Sequence, residues 1–293
     1  MAGRFADRRA AGRALARALD AYAGREDVVV LALPRGGVPV AFEVAHALRA
    51  PLDIFVVRKL GAPGHPELAL GAIASGGVRV LNDRVVAWYQ PSADQLQQIT
   101  DVETRELQRR ERTYRGGDRR AIPISGQIAI LVDDGLATGA TMRAAAQAVR
   151  RLQPARVVVA VPVGAPDSCR SLGDAADDVI CLLQPQSFDA VGLWYDDFTQ
   201  TTDDEVRTLL AQRLPPPTIH RFATTPAHDA PAPSLVRRRT RLSSWPLVCG
   251  RLTIQGPPRA SSPSCRPVEG RVTILAQEVH IQDRRETLPG SFS

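Results

Sequence analysis

The stretch Ile130-Leu131-Val132-Asp133-Asp134-Gly135-Leu136-Ala137-Thr138-Gly139-Ala140-Thr141 combines three features in one short run. An apolar run ends in two adjacent carboxylates, a turn of small residues follows, and Thr141 opens a segment with helical spacing. A helix that starts there turns unpaired backbone N–H groups and the positive end of its dipole toward the turn. A phosphate suits that environment, surrounded by the amides of Ala137, Thr138, Gly139, Ala140 and Thr141 and by the hydroxyls of Thr138 and Thr141. Asp133 and Asp134 then sit one sugar away, placed to accept hydrogen bonds from its hydroxyls. No Gly-Lys-Ser/Thr follows, so the loop is not a Walker A motif.

Outward from this stretch, five apolar runs read as strands buried on both faces: Val28–Leu33, Ile54–Val57, Ile128–Val132, Val157–Val161 and Val179–Leu183. Segments with helical spacing lie between them, at Val38–Arg49, Ala140–Leu152 and Pro166–Ala175. This alternation predicts an α/β fold, a doubly wound, mainly parallel sheet flanked by helices. Ligands of such sheets sit at the carboxyl ends of the strands. Two loops there carry chemistry. Leu33-Pro34-Arg35-Gly36-Gly37-Val38 follows the first run, and its glycines allow close backbone approach to an anion. Val57-Arg58-Lys59-Leu60-Gly61-Ala62-Pro63-Gly64-His65-Pro66-Glu67 sets two cations before a loop dense in Gly and Pro. Such a segment suits a mobile basic lid that neutralises an anion and excludes water.

The stretch 130–141 resembles the signature of type I phosphoribosyltransferases that binds 5-phosphoribosyl-1-pyrophosphate (PRPP), and its wording is nearest to the adenine enzyme's. The two other loops occur in the order this family has them, so the resemblance spans residues 4–214. It implies that Arg35, Gly36 and Gly37 hold pyrophosphate, that Asp133, Asp134, Gly135, Ala137, Thr138, Gly139, Ala140 and Thr141 hold the ribose phosphate, and that Arg58 and Lys59 stabilise the departing pyrophosphate. Mg²⁺ is the implied cofactor, held mainly by PRPP and water with no direct protein cage. In hypoxanthine/guanine enzymes a loop Asp takes the acceptor's proton. Ala137 stands at that position here, which leaves Glu67, with His65 beside it, as the candidate base. Segment 187–198 looks like the tail of one branch of these transferases, where Phe188, Trp194 and Tyr195 stack on a base or fill a core.

The expected activity is Mg²⁺-dependent transfer of phosphoribose from PRPP to a nucleobase-like acceptor. The competing expectations are a PRPP-sensing regulator without turnover and a hydrolase or salvage protein acting on other acceptors. Composition narrows these. Residues 215–293 contain 11 basic and 5 acidic residues, whereas 1–214 has 26 of each, so the net charge of +6 belongs to the last quarter. A nucleic-acid partner is therefore not expected of the neutral part. The last quarter also holds 12 of the 23 prolines and reads as a disordered tail with one short β-like run, Val272–Leu275 and on to Ile281. The division is thus one domain at 1–214 and a tail at 215–293. Ala93–Tyr114 predicts a long charged helix with a thin stripe of Ile99, Val102 and Leu107, solvated or facing a partner in a homodimer. The four cysteines show no metal-ligand spacing. No run approaches the roughly 18 apolar residues of a membrane span, and the first residues lack the apolar centre of a secretory signal. A cytoplasmic location is expected.

Overall fold

The computed structural model describes residues 3–116 and 120–212. The expected tail, its β-like run, Cys249 and Cys265 lie outside them.

Five strands form one parallel sheet: β1 (Val28–Ala32), β2 (Leu52–Ile54), β6 (Ile128–Val132), β7 (Arg156–Val163) and β8 (Asp178–Leu183), in the order β2-β1-β6-β7-β8. The central strands are Val- and Ile-rich because both faces are covered. Val28, Val30 and Ala32 of β1 face one core with Ile130 of β6 and Val158 of β7. Val29 and Leu31 face the other core with Leu131 and Val159. Helices α1 (Arg8–Ala18), α2 (Gly37–Leu48) and α7 (Asp203–Ala211) cover the first face, and α5 (Ala140–Arg151) and α6 (Pro166–Ser171) the second. This is the doubly wound architecture expected. Each fully buried Val or Leu in it contributes roughly 1.5–3 kcal/mol.

The run Ile54–Val57 is not one strand. Its first residue closes β2, Phe55 and Val56 cross over, and Val57 opens β3 of a separate antiparallel sheet. All four are hydrophobic because the crossover itself is packed against both cores. That second sheet consists of β3 (Val57–Ala62), β4 (His65–Ala74) and β5 (Val78–Leu81). The segment expected as a loop is therefore a hairpin, turning at Pro63-Gly64, where Gly64 adopts φ 73°. A bulge at Gly61 breaks the strand alternation that would have marked it.

The charged helix α4 (Ala93–Arg115) forms as expected, with a capping box between Ser92 and Gln95 and an i, i+4 pair between Glu106 and Arg110. Arg109 and Arg110 hold the Glu106 carboxyl well below the usual range, at about 2. Leu107 of the stripe is buried, whereas Val102 is exposed. The C-terminal end of α4 is tied to the crossover by a polar knot. Arg115 bonds the buried Asp53 at 3.1 Å and Glu111 at 2.9 Å, and Ser75 donates to Glu111 at 2.6 Å. Among the described residues no helix is long and apolar enough to cross a membrane.

Candidate functional site

In the order β2-β1-β6-β7-β8 the chain winds outward in both directions from β1 and β6. In sheets wound this way, ligands bind outside the carboxyl ends of the strands at such a switch point. The two strands are in register from Val28↔Ile128 to Ala32↔Val132, and Leu33 N–H donates to Val132 O at 2.9 Å. The loops beginning at Leu33 and Asp133 therefore leave the sheet side by side. A Cβ on Gly36 would lie 2.0 Å from Asp134 Oδ2, and one on Gly37 would lie 2.7 Å from Val132 O. Only hydrogen fits at either position. The Pro34–Arg35 peptide just ahead of them is cis.

The loop from Gly135 to Gly139 is braced from below and beside. Leu136 N–H donates to Val163 O, and Ala165 N–H donates to Leu136 O, both at 2.9 Å. Ser168 of α6 donates to the Ala137 carbonyl. Gly135 packs on Val191, and Gly139 adopts φ 74° to turn the chain into α5. Ala137, Thr138, Ala140 and Thr141 are exposed. Within the described residues, the amides of Ala137, Thr138, Gly139 and Thr141 donate no hydrogen bond, and neither do those of Arg35 and Gly36. Two sets of unpaired donors thus border the carboxylate pair, one of them at the N-terminus of a twelve-residue helix.

Burial raises the Asp133 carboxyl well above its ordinary range, and the adjacent Asp134 charge raises it further. Asp134 is also raised by burial, but Arg8 opposes the shift with a hydrogen bond and its charge. Asp133 Oδ1 accepts from Asp134 N–H at 2.9 Å. Among the described residues no cluster of three or more His, Cys, Asp or Glu gathers as a metal cage. The oxygens of Asp133, of which Oδ2 accepts no hydrogen bond within the described residues, fit a hard cation completed by substrate and water.

The side chains of the other expected site residues have partners of their own. Arg35 stands 3.5 Å from Asp203 of α7. Arg58 pairs with Glu103 of α4 at 2.6 Å, and Lys59 pairs with Glu67 at 3.1 Å. These last four line a groove of about 520 Å³ between the β3–β4 hairpin and α4. Within the described residues no hydrogen bond or ion pair joins that groove to Asp133 or Asp134. His65 is exposed at the hairpin turn with its ring edge toward Tyr89. Tyr195 is a buried core residue rather than a stacking surface. It packs against Phe5 and Phe198, with Phe188 and Trp194 beside it. Its phenol is deeply buried because its hydroxyl is used internally, donating to Asp134 O at 2.5 Å.

Sequence reasoning missed Arg8, whose Nε lies 2.8 Å from Asp134 Oδ2 across 126 positions of chain. It also missed Gly12, where a Cβ would meet Val40 O at 2.6 Å; this glycine lets α1 close on α2. Neither has a local signature.

Comparison with known proteins places the fold in a family. The "Phosphoribosyl transferase domain" family matches residues 4–191. Two curated proteins of Mycobacterium tuberculosis, from strains CDC 1551 and H37Rv and each named as a candidate phosphoribosyl transferase, are 50% identical over 259 residues, covering 87% of this chain and 56% of their own length. The chain thus spans about half the length of these relatives. The crystal structure of TT1426 from Thermus thermophilus is 45% identical, superposes with a TM-score of 0.64, and covers 71% of this chain and 97% of that one.

Proposed function

The chain belongs to the phosphoribosyl transferase domain family, and on that premise we propose that it transfers phosphoribose from PRPP to a nucleobase-like acceptor with release of pyrophosphate. One observation carries this reading: the carboxylate pair stands at the β1/β6 divergence, bordered by two sets of unpaired amides. The amides of Ala137, Thr138, Gly139 and Thr141 would hold the 5-phosphate, with the hydroxyls of Thr138 and Thr141 beside them. The amides of Arg35 and Gly36, with the Arg35 guanidinium, would hold pyrophosphate. Asp133 and Asp134 keep negative charge beneath the sugar, where an oxocarbenium-like cation develops as the C1–O bond to pyrophosphate breaks. Mg²⁺ bound to the pyrophosphate would neutralise charge on the leaving group. Arg58, Lys59 and Glu67 complete the proposal as residues that meet the leaving group and take the acceptor's proton, which requires their present ion pairs to open. A homodimer and a cytoplasmic location belong to the same proposal.

The pairing of Arg58 with Glu103 and of Lys59 with Glu67 favours a second reading, a sensor that binds PRPP without turnover. Incubation with Mg²⁺, PRPP and a panel of bases, with pyrophosphate as the readout, separates the two. Release with one base names the acceptor. Tight PRPP binding without release selects the sensor, and absence of PRPP binding rejects both.

A further inference from the structure

Family resemblance assigns the two carboxylates one shared task, yet the fold gives them different neighbours. Asp134 Oδ2 is 2.8 Å from Arg8 Nε, and the two side chains are only 15% and 11% exposed. Arg8 is itself held on two further sides. Its Nη1 donates to the Thr199 carbonyl at 2.7 Å, and its guanidinium lies 3.8 Å from the centre of the Phe198 ring. Gly36 abuts the same oxygen, and the Tyr195 hydroxyl donates to the main-chain carbonyl of Asp134. Asp133 has no such clamp. Its Oδ1 accepts one hydrogen bond from Asp134 N–H, and its Oδ2 accepts none within the described residues.

We propose that the pair divides its labour: Asp133 is the carboxylate that touches the sugar diol, while Arg8 and Asp134 are positioning residues that fix the loop beneath it. This rests on the reading of the site as one for PRPP. A carboxylate already engaged by a charged donor has less capacity left for a sugar hydroxyl, and to grip one with Oδ2 it would have to leave Arg8. Arg8 is held independently of any substrate by the Thr199 carbonyl and the Phe198 ring. Its placement is also built into α1. Gly12 brings that helix against α2, and Arg8 lies four residues earlier on the same face. The N-terminal helix, the segment at 195–199 and the second carboxylate therefore form one brace.

The test is titration of PRPP, with excess Mg²⁺, into the full chain and its variants, with the melting temperature of each recorded. Arg8→Ala and Asp134→Asn should each weaken binding about tenfold, and the double variant should bind no more weakly than either single one, because both remove the same brace. Arg8→Lys should recover to within about threefold of the original, since it keeps a charged donor near Asp134. Asp133→Asn should weaken binding about a hundredfold. Effects of the two single variants that multiply in the double, or an Arg8→Ala protein that binds as the original does, would overturn the division. If Arg8→Ala does not fold, an Asp134→Asn loss as large as that of Asp133→Asn overturns it instead, and a smaller loss with Arg8→Lys near normal supports it. An unaltered chain that fails to bind PRPP would reject the reading of the site rather than the brace.

Discussion

Gly36 and Asp134 stand so close that a methyl group on the Gly36 Cα would lie 2.0 Å from Asp134 Oδ2. The contact follows from the parallel, in-register ends of β1 and β6, which release their loops side by side. Gly36 has φ −58°, an angle any residue adopts, so space alone demands glycine here. Gly36→Ala should push Asp134 off Arg8, cost about 1–3 kcal/mol of stability, and weaken PRPP binding more than tenfold. Chemical denaturation and calorimetry check the two effects separately; an alanine variant that keeps both would show that the loops separate freely.

Burial and the adjacent charge raise the Asp133 carboxyl above its ordinary value of 3.8. The sign of the linkage follows. Its contribution to stability is fully present below that ordinary value and is lost as pH rises through the raised one. Asp133→Asn should therefore stabilise the chain at neutral pH, by about 1 kcal/mol or roughly 2–4 °C in melting temperature, while it harms binding. A melting curve measured from pH 4 to 8 should show the gain of the variant growing as pH rises.

Legibility differed between parts of the fold for physical reasons. The strand Ile128–Val132 was readable to the residue because it is buried on both faces and bounded by polar residues. The run Ile54–Val57 was not, because continuous burial there comes from a crossover between two sheets rather than from one strand. The hairpin at 57–74 was hidden by the bulge at Gly61 and by Gly and Pro residues that also suit a loop. At the site, the acidic pair and the paired glycines marked themselves by local chemistry. Arg8 did not, since an arginine in an Arg- and Ala-rich helix looks solvated until the fold brings Asp134 beneath it.

Arg35 pairs with Asp203 at a half-exposed surface, where such a bond contributes about 0–1 kcal/mol. Asp203→Asn should leave the melting temperature within a degree or two and tighten PRPP binding two- to threefold, about 0.5 kcal/mol, by freeing Arg35 for pyrophosphate. Arg35→Ala should weaken binding about tenfold at unchanged stability. Equal affinity in all three proteins would remove Arg35 from the site.

Asp53 is 1% exposed and accepts hydrogen bonds from Arg115, Ile54 N–H and Ile122 N–H. Asp53→Ala removes one of the two carboxylates paired with the largely buried Arg115 guanidinium and the acceptor of two amides, and should cost about 3–5 kcal/mol. Because this knot lies at the crossover between the sheets, the loss should appear in equilibrium denaturation. A cost under about 1 kcal/mol would mean that water replaces the carboxylate.

On the proposed reading, a sugar carrying a 5-phosphate and a 1-pyrophosphate docks at the carboxyl ends of β1 and β6, with Asp133 beneath its diol. Titration calorimetry of PRPP with Mg²⁺ into the unaltered chain and into Asp133→Asn tests it most directly. Saturable one-to-one binding to the first is expected, with an affinity about a hundredfold lower, near 2.7 kcal/mol, in the second and no loss of melting temperature. Equal affinities in the two proteins would contradict it.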